Sequence, residues 1–345
     1  MTRVDQQLTL EQQLQGYWDD GQAFAACRGS CSGPVFVVAS GPSAADFPVE
    51  RYRHIPMIAM NGSIMRFVEA DLSPLFYICD DRGFVRLRQS LVSQGIARSR
   101  HAALGHGALE VLLQEAPEAV DGHSVYLMQR SNRPVNGLAL SDRRYAWSVR
   151  KDPDMACRFS LFRQKPNRVG FSRNMSKGYF GGRTIPFAAL QLAYHLGFSQ
   201  VFLVGVDMNA QPGRFYEQGE AALPTRLDED YEDYILPSFQ LLAEQVVGRQ
   251  GGHLHLQVDA VEQRAAELAL VARHLVGRAA AALHRRSPMA AGAGIHRGDQ
   301  LEADGCGSGM GPRGQGFLGR LVGLGRGGAA GWWIVTLRGR SRTPA

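Results

Sequence analysis

No apolar run in this 345-residue chain approaches the roughly 20 residues that cross a bilayer. Met1 to Asp20 is rich in Gln and Asp and lacks the apolar core of a secretion signal. The first absence argues against a membrane-spanning helix and the second against a secretory leader. The expected location is therefore the cytoplasm, with peripheral contact at the inner membrane. Cysteine is sparse: Cys27, Cys31, Cys79, Cys157 and Cys306. Cys27 and Cys31 are a lone pair with no His or Cys partners at zinc spacing, so no structural metal is expected. An odd count in a chain without a leader implies reduced thiols. Neither GxGxxG nor a Gly-Lys-Ser/Thr phosphate loop is present, which argues against a nicotinamide fingerprint and a P-loop.

No lysine follows Lys177, and the composition changes at Val261. From there to Ala345 the chain has 12 Arg, no Lys and five Asp or Glu, a balance of +7 within a net +6. The first 260 residues are thus near neutral, at −1. The high pI says little about the body, and no nucleic-acid partner is expected. The same stretch holds 17 of the 40 glycines and shows no helical or strand period outside Ala265 to Leu283. Such a segment buries too little apolar surface to offset its conformational entropy, so a disordered tail is expected over 261–345. Gly/Arg/Ala-rich text is also what a shifted reading frame yields in a GC-rich gene. Composition favours that reading over a basic tail that touches anionic lipid or nucleic acid.

What is present reads as an α/β protein. Val35-Phe36-Val37-Val38-Ala39 is an apolar run that breaks at once into Ser40-Gly41-Pro42-Ser43. That pattern predicts a buried parallel strand feeding a tight turn at the carboxyl edge of a sheet, where ligands bind in open α/β folds. Glycine permits close backbone approach, and free N–H groups there would hold phosphate. Met57 to Met60 and Leu75 to Cys79 repeat the pattern, ending at Asn61-Gly62-Ser63 and Asp80-Asp81-Arg82. Helices are expected over 86–95 and 108–115, and a strand over 124–128. Residues 130–180 are irregular and carry Arg130, Arg133, Arg143, Arg144, Arg150, Arg158, Arg163, Arg168 and Arg173. A segment that long reads as a substrate-side loop or lid, able to approach anionic headgroups.

Thr184 to Leu196 is the clearest helix, with Pro186 in its first turn and Gly197 as its stop. A strand over 201–206 ends at Asp207-Met208-Asn209, again with a carboxylate on the ligand edge. A turn carries Arg214-Phe215-Tyr216. A long helix over 227–250 opens on Asp228-Glu229-Asp230 and is interrupted at Pro237, and a last strand is expected over 253–258. Asp and Glu also suit a helix's first turn for dipole reasons alone. The expected organisation is a leading helix and loop over 1–30, a Rossmann-like unit over 31–260 and the tail over 261–345.

The order GPS, NGS, GGRT with its helix, LGF, VGVDM and GRFYE resembles bacterial lipopolysaccharide-core transferases of 3-deoxy-D-manno-octulosonic acid (Kdo). It is similar, more distantly, to bacterial sialyltransferases of GT-A-variant fold. The resemblance runs from about residue 33 to 260. It implies a Rossmann-like parallel sheet flanked by helices and a glycosyltransferase that moves Kdo, or a related ulosonic acid, from a CMP donor to lipopolysaccharide core. Under that resemblance Gly41, Pro42 and Ser43 would cradle CMP, with Thr184 and Asp207 also in the nucleotide and donor site. Asn61 and Asn209 would contact its ribose or base, and Arg183, Arg214 and Tyr216 its phosphate or the sugar carboxylate, which suit a guanidinium fork. The histidine base of the sialyltransferases has no counterpart between His195 and His253, which leaves Asp228, Glu229 or Asp230 as base. Asp207 lacks the second Asp of a metal-binding DxD, because position 209 is Asn, so no metal or other cofactor is expected. Another Rossmann-like nucleotide-binding enzyme, of pterin diphosphokinase type, and an inactive scaffold remain as alternatives.

Overall fold

The computed structural model describes residues 9–19, 22–134, 138–207, 213–217 and 225–247. The expected strand over 253–258, the helix over 265–283, the whole tail and Asn209 lie outside the described residues. Two helices lead in, Leu10–Asp19 and Gln22–Cys27. Five strands then follow in order: β1 (Pro34–Val38), β2 (Met57–Met60), β3 (Phe76–Cys79), β4 (His101–Gly105) and β5 (Val125–Met128). A short antiparallel pair, β6 (Met155–Cys157) and β7 (Gly170–Ser172), precedes β8 (Gln200–Val204).

The six long-range strands form one parallel sheet in the order β5-β4-β3-β2-β1-β8. Val35 faces Val201 and Phe36 faces Met57 across the two sides of β1. Side chains alternate between the two faces, as strand geometry requires. Val35, Val37, Ile58, Ile78 and Leu203 enter one apolar cluster, with Phe187, Leu190 and Ala193 of the helix Ile185–Leu196. Phe36, Val38, Ala59, Tyr77 and Leu104 enter the other, beneath Ile64, Phe67, Val92, Ile96, Leu109 and Leu112. Both faces are covered, which is why these strands read as unbroken apolar runs.

Several expectations need correction. β4 had no forecast, because Ala102-Ala103-Leu104 lacks β-branched residues. The helix expected over 86–95 is two, Arg82–Leu87 and Gln89–Arg98. The segment 130–180 is far from structureless: it contains the helix Asp142–Ser148 and the β6–β7 pair. Pro237 does not break its helix. Tyr231–Ile235 is wound as a π-helix, and Leu236–Leu241 resumes the α form directly after it, with Pro237 at the change of winding. Cys27, Cys31, Cys79 and Cys157 are free thiols.

Candidate active site

The strand order changes direction at β1, which stands between β2 and β8. In an open α/β sheet the crevice outside the carboxyl ends at such a switch point is where ligands bind. A cavity of about 800 Å³ lies there, lined by Gly41, Asn61, Asp80, Arg183, Thr184, Asp207, Arg214 and Asp230 among others.

At the switch point, the loops after β1 and β8 are clasped together. Ser43 donates its N–H to one oxygen of Asp207 at 2.8 Å and its hydroxyl to the other at 2.6 Å. Gly41 donates its N–H to the Gly205 carbonyl at 2.9 Å. A Cβ on Gly41 would stand 2.4 Å from the Asp207 carboxylate, so only glycine fits. This corrects the expected phosphate cradle. The N–H groups of Gly41, Ser43, Ala44 and Ala45 are all bonded within the protein, and Pro42 has none to offer. Gly41 and Asp207 do line the cavity, while Pro42 and Ser43 stand behind them.

Asn61 and Arg183 have left-handed backbones, with φ of 47° and 60°, and both line the cavity. Strain of that kind costs an ordinary residue of order 1 kcal/mol and gathers at functional sites. The Asn61 Oδ1 is buried with no hydrogen-bond partner. Arg183 follows Gly182, also left-handed at φ 53°, and precedes the N-cap Thr184. Its guanidinium lies 4.9 Å from the Tyr234 ring centroid and 3.9 Å from Asp230. The Thr184 side chain makes no capping bond. The helix's positive end therefore opens on the cavity beside Arg183. Arg214 is held by Glu217, at 2.6 Å through Nη1 and 2.9 Å through its N–H.

The three acidic candidates separate. Asp230 is buried and lines the cavity; Asp228 and Glu229 are exposed and do not, and Glu229 pairs with Arg226 at 2.8 Å. Tyr216 is also outside the lining. Its ring lies beneath Gly62, where a Cβ would come within 2.2 Å of it, and edge-on to Phe84. Its hydroxyl is buried without a hydrogen-bond partner, and burial pushes its pKa well up. These positions speak against Tyr216 as a phosphate contact and against Asp228 and Glu229 as bases.

One cluster escaped the sequence reading. Asp80, just past β3, accepts hydrogen bonds from the Tyr179 hydroxyl and from Arg130 Nη2, the latter at 2.8 Å. All three line the cavity. Burial and the adjacent Asp80 carboxylate push the Tyr179 phenol well above its ordinary value, so it stays a donor. Gly105 makes room for this arrangement, since a Cβ there would lie 1.8 Å from Asp80 Oδ1. Asp80 already stood at a strand's carboxyl end in the sequence; its partners, 50 and 99 residues away, did not show. Opposite, Asp142 takes Arg168 at 2.5 Å and Asn132 at 2.5 Å. Among the described residues no group of three His, Cys, Asp or Glu is placed to hold a metal ion.

Fold and hollow together define an α/β protein with a polar, arginine-rich site at the carboxyl edge of a parallel sheet. The family model for "3-deoxy-D-manno-octulosonic acid transferase WaaZ" matches residues 26–250. This chain belongs to that family. A relative from Escherichia coli (strain K12), named probable 3-deoxy-manno-octulosonic acid transferase, is 26% identical over 216 residues, covering 62% of this chain and 75% of its own. A protein of the same name from Salmonella typhimurium (strain LT2) is 24% identical over 208 residues, covering 60% and 76%. Among solved structures, the MAf glycosyltransferase of Magnetospirillum magneticum AMB-1 matches at 14% identity and a TM-score of 0.35, covering 68% of this chain and 34% of that one.

Proposed function

We propose that this protein transfers Kdo from a CMP donor to the lipopolysaccharide core, without a metal ion. The observation that carries the reading is Arg183, held left-handed at the open N-terminus of a 12-residue helix, inside the switch-point cavity of a Kdo-transferase family member. The donor's anomeric carbon bears a carboxylate and a CMP leaving group, two anions on one atom. Arg183 and the helix end suit the departing phosphate, and Arg130 and Arg214 offer forks for the carboxylate. Asn61, with its unbonded oxygen, suits a hydroxyl or amino group of the nucleoside.

In the step itself the acceptor oxygen bonds to the anomeric carbon as the bond to the CMP phosphate oxygen breaks. The acceptor's proton passes to a carboxylate, for which Asp230 is the candidate in the cavity. CMP leaves with the electron pair, stabilised by fixed positive charge. Asp207 is committed to Ser43, which supports a mechanism without a metal.

Incubation with CMP-Kdo and a Kdo-lipid A acceptor tests the reading. The expected result is release of CMP and an acceptor heavier by one Kdo, undiminished by a chelator. Absence of both CMP release and mass gain would sink it. Chelator inactivation would sink the metal-free part alone. Thermal shift with CMP, set against NAD and ATP, separates this reading from another nucleotide-binding enzyme.

A further inference from the structure

Leu161 and Phe162 are 60% and 94% exposed, at the tip of a loop that is otherwise tied down. Asn167, itself buried, accepts from the Ser160 N–H at 2.8 Å and donates to the carbonyls of Ser160 at 3.0 Å and Arg163 at 2.8 Å. The Arg163 N–H donates to Ser160 Oγ at 3.0 Å. Hydrogen bonds, and not packing of its own apolar side chains, thus fix the loop's shape. Two large hydrophobes are left in water that burial would have used to stabilise the fold.

They have company. Leu138 is 91% exposed and Trp147 51%, and of the exposed large hydrophobes among the described residues only Val68 and Leu87 lie outside 138–162. Trp147 sits 5.1 Å from Phe159, and the Arg150 guanidinium covers its ring at 3.6 Å. The helix that carries Trp147 packs on the turn Lys165–Arg168, which joins helix and loop in one module. Residues 138–168 hold eight Arg or Lys against three Asp, in a body of net charge −1. Arg143, Arg144, Lys151 and Arg163 are exposed and form no ion pair with any described residue.

Clustered exposed hydrophobes mark an interaction surface. Amphipathic tryptophan and a cationic surround fit an anionic bilayer, where apolar tips enter the headgroup layer and the guanidinium and ammonium groups meet phosphate. We propose that residues 138–168 are a membrane-docking surface: Leu161 and Phe162, with Leu138 and Trp147, insert between lipid headgroups while Arg143, Arg144, Lys151 and Arg163 engage the anionic ones. The same segment supplies Asp142, Tyr145, Asn167 and Arg168 to the cavity wall, so docking holds the cavity beside the lipid surface. This surface does not depend on which sugar nucleotide the cavity takes.

Flotation of the full chain with phosphatidylethanolamine vesicles, with and without phosphatidylglycerol, tests it. The protein is expected to float with the anionic vesicles and not with neutral ones. The Leu161→Ser/Phe162→Ser double variant, altered only at exposed positions, should keep its Tm and lose about tenfold or more in partitioning. A polarity-sensitive dye on Phe162→Cys should shift to the blue on anionic vesicles. If the double variant floats as well as the parent, charge elsewhere in the chain carries the binding and the proposal fails. It fails too if neither floats, or if the double substitution abolishes self-association and leaves flotation unchanged, which would make the patch a contact between copies.

Discussion

Ser43 and Asp207 stand 164 residues apart in the chain and share two hydrogen bonds, N–H to Oδ2 and hydroxyl to Oδ1. The carboxylate fills the place where a loop of this kind would receive a phosphate. The pair closes the switch point like a clasp, and under the proposed function the anion-binding work would fall to Arg183, which lines the same cavity.

Asp207→Ala should therefore act first on stability. It leaves the Ser43 N–H and hydroxyl without partners in a part-buried place, at a cost of about 1–3 kcal/mol. Ser43→Ala, which keeps the backbone bond, should cost about 1 kcal/mol. Urea denaturation of the two variants checks the order.

Arg183→Gly separates strain from function. Glycine relieves the φ of 60° but loses the contact with Tyr234. The two changes, each of about 0.5–1 kcal/mol, should leave the Tm nearly unmoved. Loss of a charge-assisted contact should weaken CMP by about tenfold or more, read by calorimetry. Unchanged CMP affinity would remove Arg183 from the site.

Tyr216→Phe deletes a hydroxyl that is buried and unbonded. The variant should be at least as stable as the parent and retain its transfer rate. Gly62→Ala, which drives a methyl into that ring, should instead lose about 1–3 kcal/mol. A large fall in transfer rate for Tyr216→Phe would restore a direct role for the phenol.

Asp80→Ala removes the acceptor shared by Arg130 and Tyr179. Arg130 then swings free, and the KM for the sugar nucleotide should rise by about tenfold, a loss near 1.4 kcal/mol. Tyr179→Phe, which drops one donor and leaves the Asp80–Arg130 ion pair, should do less.

Acid should destabilise the fold in two stages. His195 is buried, donates through Nε2 to the Phe24 carbonyl at 2.6 Å and accepts the Met175 N–H at 3.2 Å. Burial holds its pKa below the ordinary 6.5, so the unfolded chain binds the proton more readily and stability falls as pH drops below 6.5. At Asp154, burial acts upward, but hydrogen bonds from Lys177, Arg28 and Asn174 outweigh it and bring the carboxyl to about 2. Its contribution, of order 2 kcal/mol, is present above 3.8 and lost as pH falls towards 2. Melting temperatures of His195→Gln and Asp154→Asn across pH should each flatten one stage.

Much of the fold was legible because buried parallel strands advertise themselves. β1, β2, β3, β5 and β8 are apolar runs with small or polar stops, and the helix Ile185–Leu196 begins with proline and ends with left-handed Gly197. β4 hid behind alanines, and β6 and β7, three residues each, are too short to show a period. The cavity's location could be read from strand ends, but the use of its donors could not. Whether the Ser43 N–H is free depends on Asp207, and whether Arg130 is fixed depends on Asp80. Those pairings are products of the tertiary structure.

β8 joins the sheet on the side of β1 that the four strands β2 to β5 have left vacant. A ribosome that has released only the first 199 residues thus holds five of that sheet's six strands, with β1 still an open edge. β8, the last of the described strands along the chain, completes the β1 edge beside the cavity, through pairing distant enough in sequence to be slow. If the cavity takes the donor as proposed, only chains that have made that closure would grip it, and the ligand itself would become a reporter of finished folding.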